Sequence, residues 1–232
     1  MGIYLNPGNE DFRQALNSKI YVDKSELIAY TNSVLRTEQK FICVSRPRRF
    51  GKSMAANMLT AYYSRGCDSR EMFSGLKIAD ADSFETHLNK YHVIHLDITK
   101  FTRGKYDIDE MIAFLSKKLL RELKKTFADV DCSNWEDLIS AFEEIYDERK
   151  EPFVFIIDEW DCVFREWKND EASQKKYLNF LRDILKGQSY VALAYMTGIL
   201  PIKKYGIHSA INMFQEYSMT NQKRLAEFTG FT

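Results

Sequence analysis

The sequence predicts an α/β sandwich with a mainly parallel β-sheet. Short apolar runs, rich in β-branched and aromatic residues, alternate along the chain with longer stretches of helical periodicity. The runs are continuously apolar, which is typical of strands that are covered on both faces. Parallel strands need crossover connections, and the intervening helices can supply them with the usual right-handed geometry. The 232 residues are enough for a large core, and we interpret 1–232 as one domain.

Five apolar runs are predicted to be strands, of which the last is the weakest. They span 40–45 (KFICVS), 92–98 (HVIHLDI), 153–158 (FVFIID), 191–197 (VALAYMT) and 214–219 (FQEYSM). A core of strands and helices is expected over 39–232, preceded by a helical lead-in over 1–38 that packs against the sheet.

Four stretches show apolar residues at helical spacing, which predicts amphipathic helices between the strands. They cover 52–64, 107–127, 135–145 and 177–185. Ser133 and Asn134 are residue types that cap helices, so we expect them to begin the helix that carries Trp135.

Composition argues against several classes of function. Lysine plus arginine and aspartate plus glutamate both number 33, so no bulk basic excess indicates nucleic acid as a partner of this domain. The N-terminus lacks a signal pattern, and no apolar run reaches the ~20 residues of a membrane helix. The four cysteines include no C-x-x-C pair, which is typical of reduced thiols. We therefore expect a cytoplasmic protein without membrane contact.

The stretch SRPRRFGKS, residues 45–53, follows the first strand and opens a helix. It ends like the phosphate-binding pattern G-x-x-x-x-G-K-[ST], but Arg46 stands where the first glycine is expected, and Pro47 follows it. It is therefore a working nucleotide site, a degenerate one or a basic patch. Gly51 permits a sharp turn, and the helix N-terminus favours an anion.

In a working site, Lys52 would reach the β- and γ-phosphates and the Ser53 hydroxyl would hold Mg²⁺. The whole loop would then line the nucleotide. The predicted nucleotide-binding residues are Arg46, Pro47, Arg48, Arg49, Phe50, Gly51, Lys52, Ser53 and Met54.

Acidic and hydroxyl side chains follow two later strands. Asp158 ends an apolar strand, where Mg²⁺ needs a carboxylate, and the adjacent Glu159 is suited to polarise a water against the γ-phosphate. Thr197 ends the next strand and can bond the γ-phosphate or the attacking water. Lys52, Glu159 and Thr197 are thus the predicted catalytic residues. Asp161 either orients Arg48 or Arg49 or caps the following segment.

Several motifs together resemble the AAA-ATPase-like family of bacterial P-loop NTPases. They are SRPRRFGKS, YVDKS, FIIDEWD, AYMTGILPI and INMFQEYSMT, and the resemblance spans nearly the whole chain. It implies a sheet of order 5-1-4-3-2, with ATP and Mg²⁺ as cofactors. It also implies that Lys52 and Ser53 form the phosphate-loop pair, and that Asp158 and Glu159 form the Mg²⁺ and water-activating pair. Thr197 is then the polar sensor.

Longer members of the family resemble this domain followed by a helical region and a restriction-type nuclease domain. This chain stops at FTGFT, where a helical lid would begin. The lid is therefore expected to be absent or truncated, and no second-sensor arginine is assigned.

Four functions compete at this point. An ATP-binding domain that hydrolyses ATP is favoured by Glu159, since a pure binder needs no water-polarising acid. A nucleotide-gated module, which orders a surface for a protein partner or a second copy, is favoured by the missing lid. A small-molecule kinase lacks a recognisable acceptor pocket. Nucleic-acid binding through RPRR conflicts with the zero net charge.

Overall fold

Five parallel strands form the central sheet in the computed structural model, which describes residues 1–105, 107–202 and 209–218. They are β1 Phe41–Ser45, β2 His92–Asp97, β3 Phe153–Asp158, β4 Val191–Gly198 and β5 Gln215–Tyr217. The order across the sheet is β2-β3-β4-β1-β5, and every adjacent pair is parallel. This is the predicted order 5-1-4-3-2 read from the opposite edge. The end of the predicted fifth strand and the expected lid position lie in 219–232, outside the described residues.

Helices connect the strands and precede them. The helices are α1 Glu10–Leu16, α2 Glu26–Val34, α3 Lys52–Tyr63, α4 Arg70–Phe73, α5 Phe84–His87, α6 Thr99–Thr102, α7 Ile108–Thr126, α8 Leu138–Arg149, α9 Cys162–Glu166 and α10 Glu171–Leu185. Short 3₁₀ helices lie at Lys77–Asp80 and Ser209–Ile211. The two longest predicted helices thus match α3 and α7 to within one residue at each end.

Both faces of the sheet are covered, as the continuous apolar runs predicted. All residues of β3 are buried, and they alternate between two cores. Phe155 and Ile157 pack with α7, α8 and α10, whereas Val154 and Ile156 pack with α1, α2 and α3. A strand with two buried faces needs no polar alternation, which explains its sequence.

The lead-in is attached to the core by side chains of the YVDKS motif. The Asp23 carboxylate accepts a hydrogen bond from the Lys77 amide at 2.8 Å, and the Ser25 hydroxyl accepts one from the Ile78 amide at 3.1 Å. Tyr21 packs edge-on against Phe12, with ring centroids 6.1 Å apart. The motif therefore anchors the segment between α1 and α2.

The first residues of the lead-in are extended, which the helical prediction missed. Leu5 forms an antiparallel bridge with Ile94 of β2. The amides of Tyr4 and Leu5 donate to the Glu122 carboxylate at 2.9 and 2.8 Å. This segment lies along the β2 edge because its partners come from β2 and α7, both distant in the sequence.

The predicted start of the third long helix was wrong. Asp137 is the N-cap of α8, and its carboxylate accepts a hydrogen bond from the Ser140 amide at 2.7 Å. Asn134 accepts instead from the Glu136 amide at 3.0 Å, while the Ser133 amide donates to Glu144 at 2.6 Å. Ser133, Asn134 and Asp137 are all residue types that cap helices. The helix begins after Asp137, which directly precedes the buried Leu138.

Replacing this cap should destabilise the fold. We expect Asp137→Ala to lower the free energy of unfolding by ~1 kcal/mol, because it removes an acceptor for an otherwise unpaired amide of the first turn. Asn134→Ala is the matched control and should cost less, since it disturbs only a turn. Urea denaturation measures both, and an equal loss for the two variants would contradict the observed cap.

Candidate functional site

The carboxyl ends of four strands meet at one edge of the sheet. In the register, Ser45 of β1 pairs with Gly198 of β4, and Asp97 of β2 pairs with Asp158 of β3. Open α/β sheets bind ligands beyond this edge. Parallel pairing thus brings the loop that resembles a phosphate-binding loop to the same edge as the predicted acids, although more than a hundred residues separate them in the sequence.

The loop after β1 turns sharply into α3. Gly51 precedes the helix with φ +74°, a left-handed conformation that glycine adopts without steric cost. Arg49 also has a positive φ, +71°, which is strained for a residue with a side chain. Pro47, Arg48 and Ser53 are exposed around this turn. The amides at the N-terminus of α3 therefore border an accessible concave loop, as an anion site requires.

Lys52 is the first residue of α3, and its side chain extends back into this loop. Its side chain is 5% exposed, and its Nζ donates to the Pro47 carbonyl at 3.0 Å. Burial lowers the pKa of Lys52, while the charges of Glu159, Asp158 and Asp161 act in the opposite direction. The ammonium is thus held inside the loop and within electrostatic range of the acids after β3.

Arg46 has a structural role that the sequence did not indicate. Its amide donates to the Gly198 carbonyl at 3.0 Å, and its guanidinium Nη1 donates to the Tyr217 carbonyl at 3.1 Å. The side chain is buried, and burial lowers its pKa. Arg46 therefore joins β1 to β4 and β5 at the point where the loop begins. Its predicted contact with nucleotide stays a prediction.

Asp158 and Thr197 are in direct contact at the ends of β3 and β4. The Thr197 hydroxyl donates to Asp158 Oδ1, which also accepts the Glu159 amide at 3.0 Å. Both side chains are buried. The two bonds hold the carboxylate in one orientation. The proposed contact of Thr197 with a γ-phosphate or a water stays a prediction.

Glu159 is held by an arginine that sequence reasoning missed. It has φ +52°, and its carboxylate forms an ion pair with Arg165 Nη2 of α9. Arg165 Nε lies 3.8 Å from Asp161 Oδ2, so the guanidinium lies between two acids. The spacing of Asp161 and Arg165, one helical turn apart, was the available signal.

Asp161 binds the segment after β4 and makes neither predicted interaction. It lies at the N-cap of α9 without a capping bond, and Oδ2 accepts the amides of Ile199 and Leu200 at 3.2 and 3.0 Å. A Cβ on Gly198 would lie 2.6 Å from Asp161 Oδ1 and from Trp160 Nε1. Glycine at 198 is therefore needed for this close approach.

The residues predicted to hold Mg²⁺ supply suitable oxygen ligands. No group of three or more histidines, cysteines or acids could hold a metal ion within the described part of the chain. Mg²⁺ bound with phosphate needs fewer protein ligands, because it keeps waters and uses one or two carboxylates. The exposed Ser53 hydroxyl and the Asp158 carboxylate, with its Oδ1 already oriented, fit that chemistry.

Comparison with known families adds to this geometry. A family model described as predicted AAA-ATPase matches residues 8–208. The chain belongs to this AAA-ATPase-like family. The resemblance seen in the motifs is thereby confirmed at the level of the family, which supports nucleotide binding in general terms. No curated protein matches the chain.

The AAA-ATPase-like match covers the loop, both acids and Thr197, all of which lie within 8–208. It also includes Arg165 and Asp161. In the part of this AAA-ATPase-like chain that the structure describes, no helix is long and apolar enough to span a membrane.

The hydrogen bond from the Thr197 hydroxyl to Asp158 can be tested in this AAA-ATPase-like chain without nucleotide. We expect Thr197→Val to lower the free energy of unfolding by ~1–3 kcal/mol, because a buried carboxylate loses a donor. Thr197→Ser keeps the hydroxyl and should retain most of the stability. Thermal or urea denaturation measures both, and a Val variant as stable as the Ser variant would show that the bond is unimportant.

Proposed function

We propose that the chain is an ATP-binding P-loop domain that hydrolyses ATP with Mg²⁺. One observation carries this proposal. The buried Lys52 follows the sharp turn at Gly51, and its ammonium is within electrostatic range of Asp158 and Glu159. A cation for phosphate, a carboxylate for Mg²⁺ and an acid for water are the parts that phosphoryl transfer to water requires. Membership of a predicted AAA-ATPase family agrees with it.

The loop would bind the phosphates. Its turn at Gly51 and the N-terminus of α3 offer amide donors, and the helix dipole favours negative charge there. Lys52 would exchange its bond to the Pro47 carbonyl for a charge-assisted bond to phosphate, which is stronger. Arg48 and Arg49 are exposed beside the loop and add positive charge.

Ser53 and Asp158 would hold the metal. When bound, Mg²⁺ neutralises negative charge on the phosphate oxygens. Thr197 would act through Asp158, because its hydroxyl fixes the orientation of that carboxylate. A preoriented ligand loses less conformational freedom on binding than a mobile one.

Glu159 would accept a proton from the attacking water. Its ion pair with Arg165 positions the carboxylate, and Asp161 holds the other side of the same guanidinium. A base must be within hydrogen-bond reach of its water, so this positioning is as important as its basicity.

The ion pair also favours the alternative function. A carboxylate that is paired with a guanidinium must turn away from it before it can bind the attacking water. A chain with little turnover would be a nucleotide-gated module for a protein partner or a second copy. A nucleic-acid role for RPRR is less favoured, because Arg46 is buried and bonded to main-chain carbonyls.

We place the proposed ATP-binding function in a single cytoplasmic domain over 1–232, with a lead-in over 1–38 and a core over 39–232.

Binding depends on Lys52. We expect Lys52→Ala to weaken ATP affinity by more than tenfold, since a charge-assisted phosphate contact contributes ~1.5–3 kcal/mol. Lys117→Ala, at an exposed position on α7, is the matched control and should bind normally. Calorimetry measures affinity and circular dichroism checks folding. Unchanged affinity in a folded Lys52→Ala protein would exclude the phosphate-loop assignment.

Turnover distinguishes hydrolysis from gating. We expect Glu159→Gln to leave ATP affinity nearly intact and to reduce phosphate release by ~10²–10⁴-fold, the usual contribution of a positioned general base. Asp158→Asn is the comparison and should also weaken Mg²⁺-dependent ATP binding. An intact chain that binds ATP without turnover would favour the gated module. Equal turnover by Glu159→Gln would show that this acid is structural.

A further inference from the structure

The guanidinium of Arg165 lies between two carboxylates and bonds only one of them. Its Nη2 forms an ion pair with Glu159, whereas its Nε lies 3.8 Å from Asp161 Oδ2. Hydrogen bonds between a guanidinium and a carboxylate are about 2.7–2.9 Å long, so the contact with Asp161 is not one. The Arg165 side chain is 25% exposed, and Asp161 is fully buried. Arg165 therefore has one acid that it bonds and a second, nearby acid that it does not.

Unpaired polar atoms are concentrated at this place. Among the described residues, five buried side-chain polar atoms have no hydrogen-bond partner in the protein, and three of them are Trp160 Nε1, Asp161 Oδ1 and Arg165 Nε. Buried polar groups are nearly always bonded. The other oxygen of Asp161 is in use, because it accepts the amides of Ile199 and Leu200. A donor of Arg165 and an acceptor of Asp161 thus lie close together without a bond.

Glu159 can bind the attacking water only after it separates from Arg165. Separation leaves a partly buried guanidinium without its acid, and an uncompensated charge in such a position is costly. Asp161 precedes Arg165 by four residues at the start of α9, and side chains at this spacing can meet. A shift of about 1 Å would bring Nε within hydrogen-bonding distance of Asp161. The bond formed there would offset the one that is lost at Glu159.

We propose that Arg165 exchanges partners during turnover, from Glu159 to Asp161, and that Asp161 is thereby a positioning residue for the proposed base. The inference rests on the proposed function, because it concerns the hydrolysis step. The exchange breaks one N–H···O hydrogen bond and forms another, and no covalent bond changes. The freed Glu159 carboxylate accepts a hydrogen bond from the attacking water and then takes its proton.

The exchange should alter turnover rather than nucleotide affinity. Besides burial, which lowers the pKa of Lys52, the charges of Glu159 and Asp161 raise this pKa and that of Arg165 lowers it. The same charges remain near Lys52 after the guanidinium has moved by about 1 Å from one acid to the other. Phosphate binding by Lys52 is therefore expected to be nearly the same in both arrangements, which separates a change in turnover from a change in binding.

A double-mutant cycle on phosphate release tests the exchange. We expect Asp161→Asn to slow phosphate release by ~10–100-fold, the effect of losing one hydrogen bond to a charged group, and to change ATP affinity by less than about twofold. In an Arg165→Met background Glu159 is already unpaired, so the added Asp161→Asn change should have no further effect. Equal slowing in both backgrounds would show that Asp161 acts only through the segment after β4, and would overturn the inference.

Asp183→Asn is the matched control for this cycle. Asp183 accepts a hydrogen bond from Arg182 at 2.7 Å on α10, and both side chains are exposed. This variant should change neither phosphate release nor ATP affinity. Turnover without coupling between Asp161 and Arg165 would overturn the exchange and leave the proposed hydrolysis intact. Absence of turnover in the intact chain would overturn hydrolysis and exchange together.

Nuclear magnetic resonance of the intact chain provides a measurement that needs no buried acid to be replaced. The Nε–H signal of Arg165 is assigned by its loss in Arg165→Lys. In the free chain this N–H has no protein acceptor and should exchange rapidly with solvent. Saturation with Mg²⁺, ADP and aluminium fluoride, a mimic of the transferring phosphoryl group, should move the signal downfield and slow its exchange about tenfold or more. An unchanged signal in the saturated complex would overturn the exchange of partners.

Discussion

Parallel pairing of β1, β3 and β4 is the constraint on which the candidate site depends. The register places Ser45 beside Gly198, and it brings Thr197 within hydrogen-bonding reach of Asp158. No local preference of the loop or the acids could assemble these residues. The apolar side chains of β3 alternate between the cores on the two faces of the sheet, and this alternation stabilises the register. A shift by one residue would turn each of these side chains to the opposite face.

The acids after β3 form a connected network. Glu159 contacts Arg165, Arg165 contacts Asp161, and Asp161 accepts two amides from the segment after β4. A displacement of that segment would therefore reach Glu159 through one buried carboxylate and one guanidinium. The network therefore connects the proposed base to Ile199 and Leu200, immediately after β4.

Patterns within short stretches of sequence predicted the strands and the long helices. Continuous apolar runs located β1 to β4, and helical spacing located α3, α7 and α10, because each pattern reflects burial on particular faces of one element. The YVDKS motif was recognised, but its role was not, since the partners of Asp23 and Ser25 lie more than fifty residues away. The Arg46 bond to Tyr217 and the Glu122 bonds to the lead-in are equally non-local. Several residues before α8 can cap a helix, and the sequence pattern favoured Ser133 and Asn134 where the structure uses Asp137.

The extended start of the lead-in affects how the protein behaves in a crowded solution. Among the described strands, β2 is the outermost on its side of the sheet. An uncovered edge offers main-chain donors and acceptors to a strand from another molecule. The Asn6 amide donates to the Val93 carbonyl, and the His95 amide donates to the Tyr4 carbonyl. Pro7 follows at once and has no amide to extend the pairing. Residues 4–6 thus occupy part of this edge, which leaves fewer main-chain groups of β2 open to a strand from another molecule.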